Sequence, residues 1–198
     1  MEALKLEGVE VLGASVQAIV AGFQEASTLA SRLLLEQGMG KPGPNGKVTI
    51  EPDAWYPASR MLSTFRQVAE EVGSVVQFQI GLKVPENAMF PPSVKDIESA
   101  MGAIDIAYHM NHRRNGKPLF DPATGKMQEG IGHYKHARVQ GKNEIHVVCD
   151  NPYPCDFDRG LVTAMARKFQ ANAFVLHDDS KPCRKKGAAS CTYLVRWL

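Results

Sequence analysis

NPYPCDFDRGLVTAMARKFQANAFVLHDDSKPCRKKGAASCTYLVRW, residues 151–197, holds the pattern from which the fold is read. From Asp156 to Phe169, the apolar residues Phe157, Leu161, Ala164, Met165 and Phe169 recur at helical spacing. Arg167 and Lys168 fall where the helix dipole is negative. AFVLH and CTYLVRW, on either side of the loop holding Cys183, read as two strands. Just upstream, GHYKHARV and EIHVVCDN are separated by Gln140-Gly141-Lys142 and read as a hairpin. The C-terminal part is thus a two-strand, helix, two-strand unit.

The same stretch places Cys155 at the start of its helix, His177 at the end of the following strand, and Cys183 and Cys191 around the closing loop. Three thiols and an imidazole are the ligand set of a closed tetrahedral site, so Cys155, His177, Cys183 and Cys191 are the predicted ligands of a structural zinc. A loop as polar as DDSKPCRKKGAAS buries little, and a metal would pin it. Asp178 and Asp179 are substitute ligands if His177 points away. The competing reading is of unrelated buried thiols and a histidine that caps a strand. Cys149, among the apolar residues of EIHVVCDN, is read as packing.

Helices precede this unit. Val16, Ile19, Val20, Phe23, Ala30 and Leu34 predict one long amphipathic helix over 15–36, ended by a Gly- and Pro-rich segment that reads as an extended surface connection to residue 52. Tyr56-Pro57 opens a second, with Leu62, Phe65, Val68, Ala69 and Val72 on one stripe before Gly73. Residues 75–84 fit both strand and helix periods, and the reading inclines to helix. A fourth helix over 93–111 starts from a capping box of Ser93 and Asp96. Helices first and paired strands after give an α+β fold with a mostly antiparallel sheet. The expected organisation is one domain over 1–198, with a mainly helical half at 1–111 and a zinc-stapled half at 130–198.

With 198 residues, 44% of them hydrophobic, the chain can bury a sizeable core, and a net charge of +2 provides no global field to gather nucleic acid. The runs His112-Arg113-Arg114 and Arg184-Lys185-Lys186 read as solvated loop charge. MEALKLEGVEVLG lacks the pattern of a signal peptide and no apolar run approaches a membrane span, so a cytoplasmic location is expected. Reducing conditions there disfavour disulfides.

No Gly-rich phosphate loop or His-Glu-x-x-His helix occurs, and His146 and Cys149 face opposite sides of a strand; no catalytic residue is assigned. His133 and His136, three apart on a strand, read as surface residues. His109 and His112 at a helix C-terminus are candidate pocket or haem residues, although the attachment motif for covalent haem is absent. Phe65, Phe78, Met101 and Tyr108 are candidates to line an apolar pocket between helices and sheet, with ordinary core as the alternative.

Cys155-Asp-Phe-Asp-Arg-Gly160, then helix and strand, then Cys183 and Cys191 before TYLVRW, resembles the 4-vinyl-reductase domain family, which includes sensor domains of phenol- and xylene-responsive activators. That resemblance implies a homodimeric, zinc-containing sensor of a small apolar or aromatic molecule, reporting to an unknown protein partner. The family's zinc-ligating acid has no counterpart here, and His177 best takes its place. Two other functions stay open: an enzyme or accessory factor acting on a tetrapyrrole or haem-type ligand, and a scaffold subunit with no ligand.

Overall fold

A computed structural model describes residues 6–86 and 88–198, so residues 1–5 of the N-terminal segment read above lie outside the described ones. β1 (Val9–Leu12) runs straight into α1 (Gly13–Gly22), and α2 (Ser27–Glu36) follows a single 3-10 turn. After the short hairpin β2 (Lys41–Pro42) and β3 (Val48–Thr49) come β4 (Trp55–Pro57), α3 (Ala58–Val72), α4 (Val75–Lys83) and α5 (Ile97–Met110). A turn-rich segment holds β5 (His112–Arg114), β6 (Lys117–Pro118), β7 (Phe120–Asp121) and β8 (Lys126–Met127). β9 (Tyr134–Arg138), β10 (Glu144–Cys149), α6 (Cys155–Arg167), β11 (Phe174–His177) and β12 (Cys191–Arg196) complete the chain.

The fold is α+β. The C-terminal strands form one antiparallel sheet in the order β11-β12-β10-β9, with Val147 opposite Tyr193 and Cys149 opposite Cys191. Alternation turns Ile145, Val147, Cys149, Tyr193 and Val195 inward, where α6 covers them with Phe157, Val162, Met165 and Ala166. One buried apolar cluster runs from Val9 and Val16 through Phe65 and Ile80 to Val195. No helix among the described residues is long and apolar enough to cross a membrane.

Four differences from the sequence reading have local causes. The helix expected over 15–36 breaks at Phe23–Ala26, where Gln24 adopts φ 48°; Gly22 closes against Ile80 of α4, so the chain turns where the two helices meet. The connection to residue 52 is anchored: Met39, Val48 and Ile50 are buried, and Gln17 Nε2 donates to the Ile50 carbonyl at 2.6 Å. α5 starts later than expected, because its capping box pairs Asp96 with Ser99 rather than with Ser93. A second small sheet, β4-β1-β5-β6, was not read at all; β1 is four residues long and passes into α1 without a turn signal.

Candidate functional site

The loop between β11 and β12 returns to the start of α6, and there the three expected thiols meet. Cys155 Sγ lies 3.1 Å from Cys191 Sγ and 4.0 Å from Cys183 Sγ, and the last two are 3.8 Å apart. Tyr193 Oη fixes β12 to the helix start by donating to the Cys155 carbonyl at 2.8 Å. Its hydrogen bond with Cys155 lowers the Cys191 thiol, helped by the Arg184 amide, the Arg184 side chain and His177. The same contact and burial push Cys155 up. His177 stands beside this group but outside the tightest set: its Nδ1 is 3.1 Å from Asp179 Oδ1, and its buried Nε2 has no hydrogen-bond partner among the described residues. Cys149 is fully buried, and burial raises its thiol, in keeping with a packing role.

Arg184, expected to be a solvated loop charge, is instead drawn inward. Its guanidinium bonds the Asp158 carboxylate, the Asn151 carbonyl and, at 2.8 Å, the Tyr153 carbonyl. Asp158 is fully buried on α6, and Tyr134 Oη at 2.5 Å and Asn151 Nδ2 at 3.2 Å also donate to it. Burial pushes its carboxyl up to about 6, against the lowering by Arg184, so it remains ionised at neutral pH. This buried pair fastens the thiol loop to the segment 151–158.

A third group gathers at the junction of α5 and β9. Asp105 Oδ1 accepts from the Tyr134 amide at 2.9 Å and Asp105 Oδ2 lies 2.9 Å from His133 Nδ1. His133 Nε2 lies 3.0 Å from Glu129, whose side chain is 85% exposed. Burial alone would lower the His133 pKa, yet these two carboxylates raise it overall. His109 is fully buried, with its ring 4.7 Å from that of His133.

His133 also lines a cleft of about 1090 Å³. Leu6, Leu62, Pro152, Tyr153 and Pro154 give it apolar walls, while Arg66, Lys135, Arg184 and Lys185 bring positive charge.

The four expected pocket residues do not line this cleft. Phe65, Met101 and Tyr108 are packed into the core, and Phe78 lies beneath the Arg159 guanidinium at 4.7 Å. Aromatic rings fill the interior instead: Phe65 touches Tyr153 and Phe157 edge-on, and Tyr108 touches Tyr134. His112 is buried with both nitrogens engaged, 2.7 Å from the Tyr108 carbonyl and 3.0 Å from Tyr153 Oη. Burial takes its pKa down to about 4, so it is neutral. His136 is exposed, as expected. His133 was misread because it precedes β9, and strand alternation does not govern its side chain.

No family model and no curated protein match the chain. Its likeness is to solved structures. An H-NOX protein from S. oneidensis in the Fe(II)NO ligation state superposes with TM-score 0.60 at 16% identity, over 94% of this chain and 99% of that one. An oxygen-binding H-NOX domain related to soluble guanylate cyclases matches with TM-score 0.56 at 15% identity, over 93% of each. A structure described as probing heme distortion in the H-NOX family gives 0.60 at 14%, over 93% and 94%. The chain has the H-NOX fold.

This finding corrects the resemblance to 4-vinyl-reductase domains, because the architecture that links these helices to this sheet is that of H-NOX proteins. The main functional expectation, a zinc-stapled sensor of an aromatic molecule, falls with it. Zinc as the cofactor rested on cysteine spacing and on that family's pattern, whereas the H-NOX structures are described by iron and heme. The homodimer and the aromatic ligand were implied by the same resemblance and lose their support. What persists is the side-chain geometry itself, three converged thiols and a carboxylate-held histidine at a large cleft.

Proposed function

We propose that this chain is a small-molecule sensor module of the cytoplasm that takes a haem-type tetrapyrrole in the cleft beside His133. One observation carries the reading: His133 stands at the wall of a cleft of about 1090 Å³ with Nδ1 against the Asp105 carboxylate. Metal-ligating histidines are commonly held in this way, the carboxylate fixing the tautomer and turning the other nitrogen outward. That other nitrogen, Nε2, meets the exposed Glu129 carboxylate, which is free to swing into solvent.

The remaining residues fit a flat dianionic ligand. Leu6, Leu62, Pro152, Tyr153 and Pro154 offer apolar contact, and Arg66, with the solvent-exposed Lys135 and Lys185 if they leave Asp150 and Asp156, offers positive charge to its carboxylates. His112 does not suit iron, because both its nitrogens are already engaged. When bound, the group supplies an iron centre with an open position for a diatomic gas. His133 would hold it, Asp105 would orient His133, and Tyr153 would cover its buried side.

Titration of the purified chain with haemin should give a saturable Soret band. In the His133→Ala variant, this band should shift to that of weakly held haemin, with affinity lower by about 100-fold; Asp105→Asn should cost about tenfold. A chain that gives no Soret band, or whose band is indifferent to His133→Ala, would not be a haem sensor of this kind.

A second reading is favoured by the thiols. Three sulfurs within 4.8 Å of one another, with Nε2 of His177, unpartnered among the described residues, nearby, form a ligand set for a thiophilic metal ion that would pin the 183–191 loop. Elemental analysis of the purified chain identifies the ion. Cys183→Ser should lose it and soften the C-terminal hairpin, read as faster amide exchange over residues 178–190, because metal binding and folding are coupled. Unchanged metal content and exchange would remove these residues from consideration as ligands.

A further inference from the structure

We infer that Asp105, His109 and His133 form a metal site separate from the thiols, one that takes a first-row divalent cation such as Fe(II), Co(II) or Ni(II) directly, without a porphyrin. One potential ligand atom from each residue lies within 4.8 Å of those from the other two. Two imidazoles and one carboxylate are the donor set that suits these ions, whereas Mg(II) and Ca(II) favour oxygen donors.

The local structure is built around this group. Asp105 and His109 are four residues apart on α5, so both side chains leave the same helix face. His133 enters from the segment just before β9 and stacks obliquely on His109, with the rings 32° apart, so their edges approach on one side. Asp105 is fixed by the Tyr134 amide at 2.9 Å, which leaves its second oxygen directed at His133. Glu129 can supply a further oxygen from solvent, being 3.0 Å from His133.

The side chain that points to a ligand is His109. It is fully buried, its Nδ1 is 2.9 Å from the Asp105 carbonyl, and its Nε2 has no hydrogen-bond partner among the described residues. A neutral imidazole donating from Nδ1 to that carbonyl keeps a bare lone pair on Nε2, and a buried acceptor left bare is uncommon in folded proteins. The same Nδ1 lies 3.5 Å from Asp105 Oδ1. A cation beside Nε2 would satisfy a group that the described residues do not.

The site stands on its own residues and holds if the tetrapyrrole reading fails. If that reading is right, His133 is common to both, and either occupant excludes the other.

Titration of the tetrapyrrole-free full chain with Co(II) tests the inference by visible absorption. Saturable d–d bands should persist in the Cys183→Ser variant, which has lost a thiol, and should weaken by about 100-fold in affinity in both His109→Ala and His133→Ala. His136→Ala, an exposed change on β9, should bind as the parent does. Circular dichroism identifies any variant that fails to fold, and X-ray absorption of the Co(II)-loaded Cys183→Ser protein then reads nitrogen and oxygen neighbours in its place. Binding that disappears with Cys183, sulfur neighbours alone, or a folded His109→Ala that binds like the parent would overturn the site. Failed haemin uptake with Co(II) binding intact refutes the tetrapyrrole reading only; intact haemin uptake without Co(II) binding refutes this one only.

Discussion

Asp158→Ala should destabilise the folded chain by about 3–5 kcal/mol, read as a lower urea midpoint at unchanged slope. The carboxylate is fully buried and receives Tyr134 Oη, Asn151 Nδ2 and the Arg184 guanidinium. Its removal strands a guanidinium whose side chain is only 13% exposed, and a buried charge without its partner costs far more than the pair itself contributes. The damage is directional. Arg184 is adjacent to Cys183 and bonds the 151–153 segment, so freeing it loosens both the thiol loop and one wall of the cleft. Asp156→Ala supplies the contrast: its bond is to Lys185, which is 52% exposed, and a surface pair is worth about 0–1 kcal/mol. A similar small loss for both variants would mean that Arg184 finds other partners or water, and that the network does not hold the loop.

How far the sequence could be read depended on whether each residue's role is local. α6 and the four strands of the main sheet follow from spacing alone, because Phe157 and Met165, or Ile145, Val147 and Cys149, must share a face. The three thiols were legible as well: cysteines at the ends of adjacent elements have few places to go once the strands pair. Arg184 was misread because a run of three basic residues looks solvated, and only the partner twenty-six positions upstream pulls one of them in. Asp105 and His133 were missed for the same reason. An aspartate on a helix carries no signal of its own until the turn after β8 delivers a histidine to it. The helical half was read as helices but not as an architecture, since the sequence holds no mark of how α1, α4 and α6 cross.

That crossing supplies the second large effect. Gly81→Ala and Gly160→Ala should each destabilise the chain by about 2–3 kcal/mol, although both place alanine in a helix interior, where it would ordinarily be favoured by about 1 kcal/mol. α4 and α6 touch backbone to backbone at these two glycines. A Cβ on Gly81 would lie 2.1 Å from the Phe157 carbonyl oxygen and 2.7 Å from the Leu161 nitrogen, and a Cβ on Gly160 would lie 2.2 Å from the Phe78 carbonyl oxygen. No side chain can rotate away from such a contact, so the helices themselves must separate. Phe157 would move with α6, and its stacking on Tyr153, at 5.2 Å between ring centres, would be lost from beneath the cleft. Haemin uptake should therefore weaken along with stability. Gly102→Ala on α5 fixes the sign: there the new methyl lies 3.2 Å from the ring of exposed His136, which can swing aside, so the helix preference should win and stabilise by about 0.5–1 kcal/mol. If chemical denaturation ranks all three substitutions alike, the close crossing of α4 and α6 does not constrain the fold; opposite signs at Gly102 and at the crossing pair are the expected result.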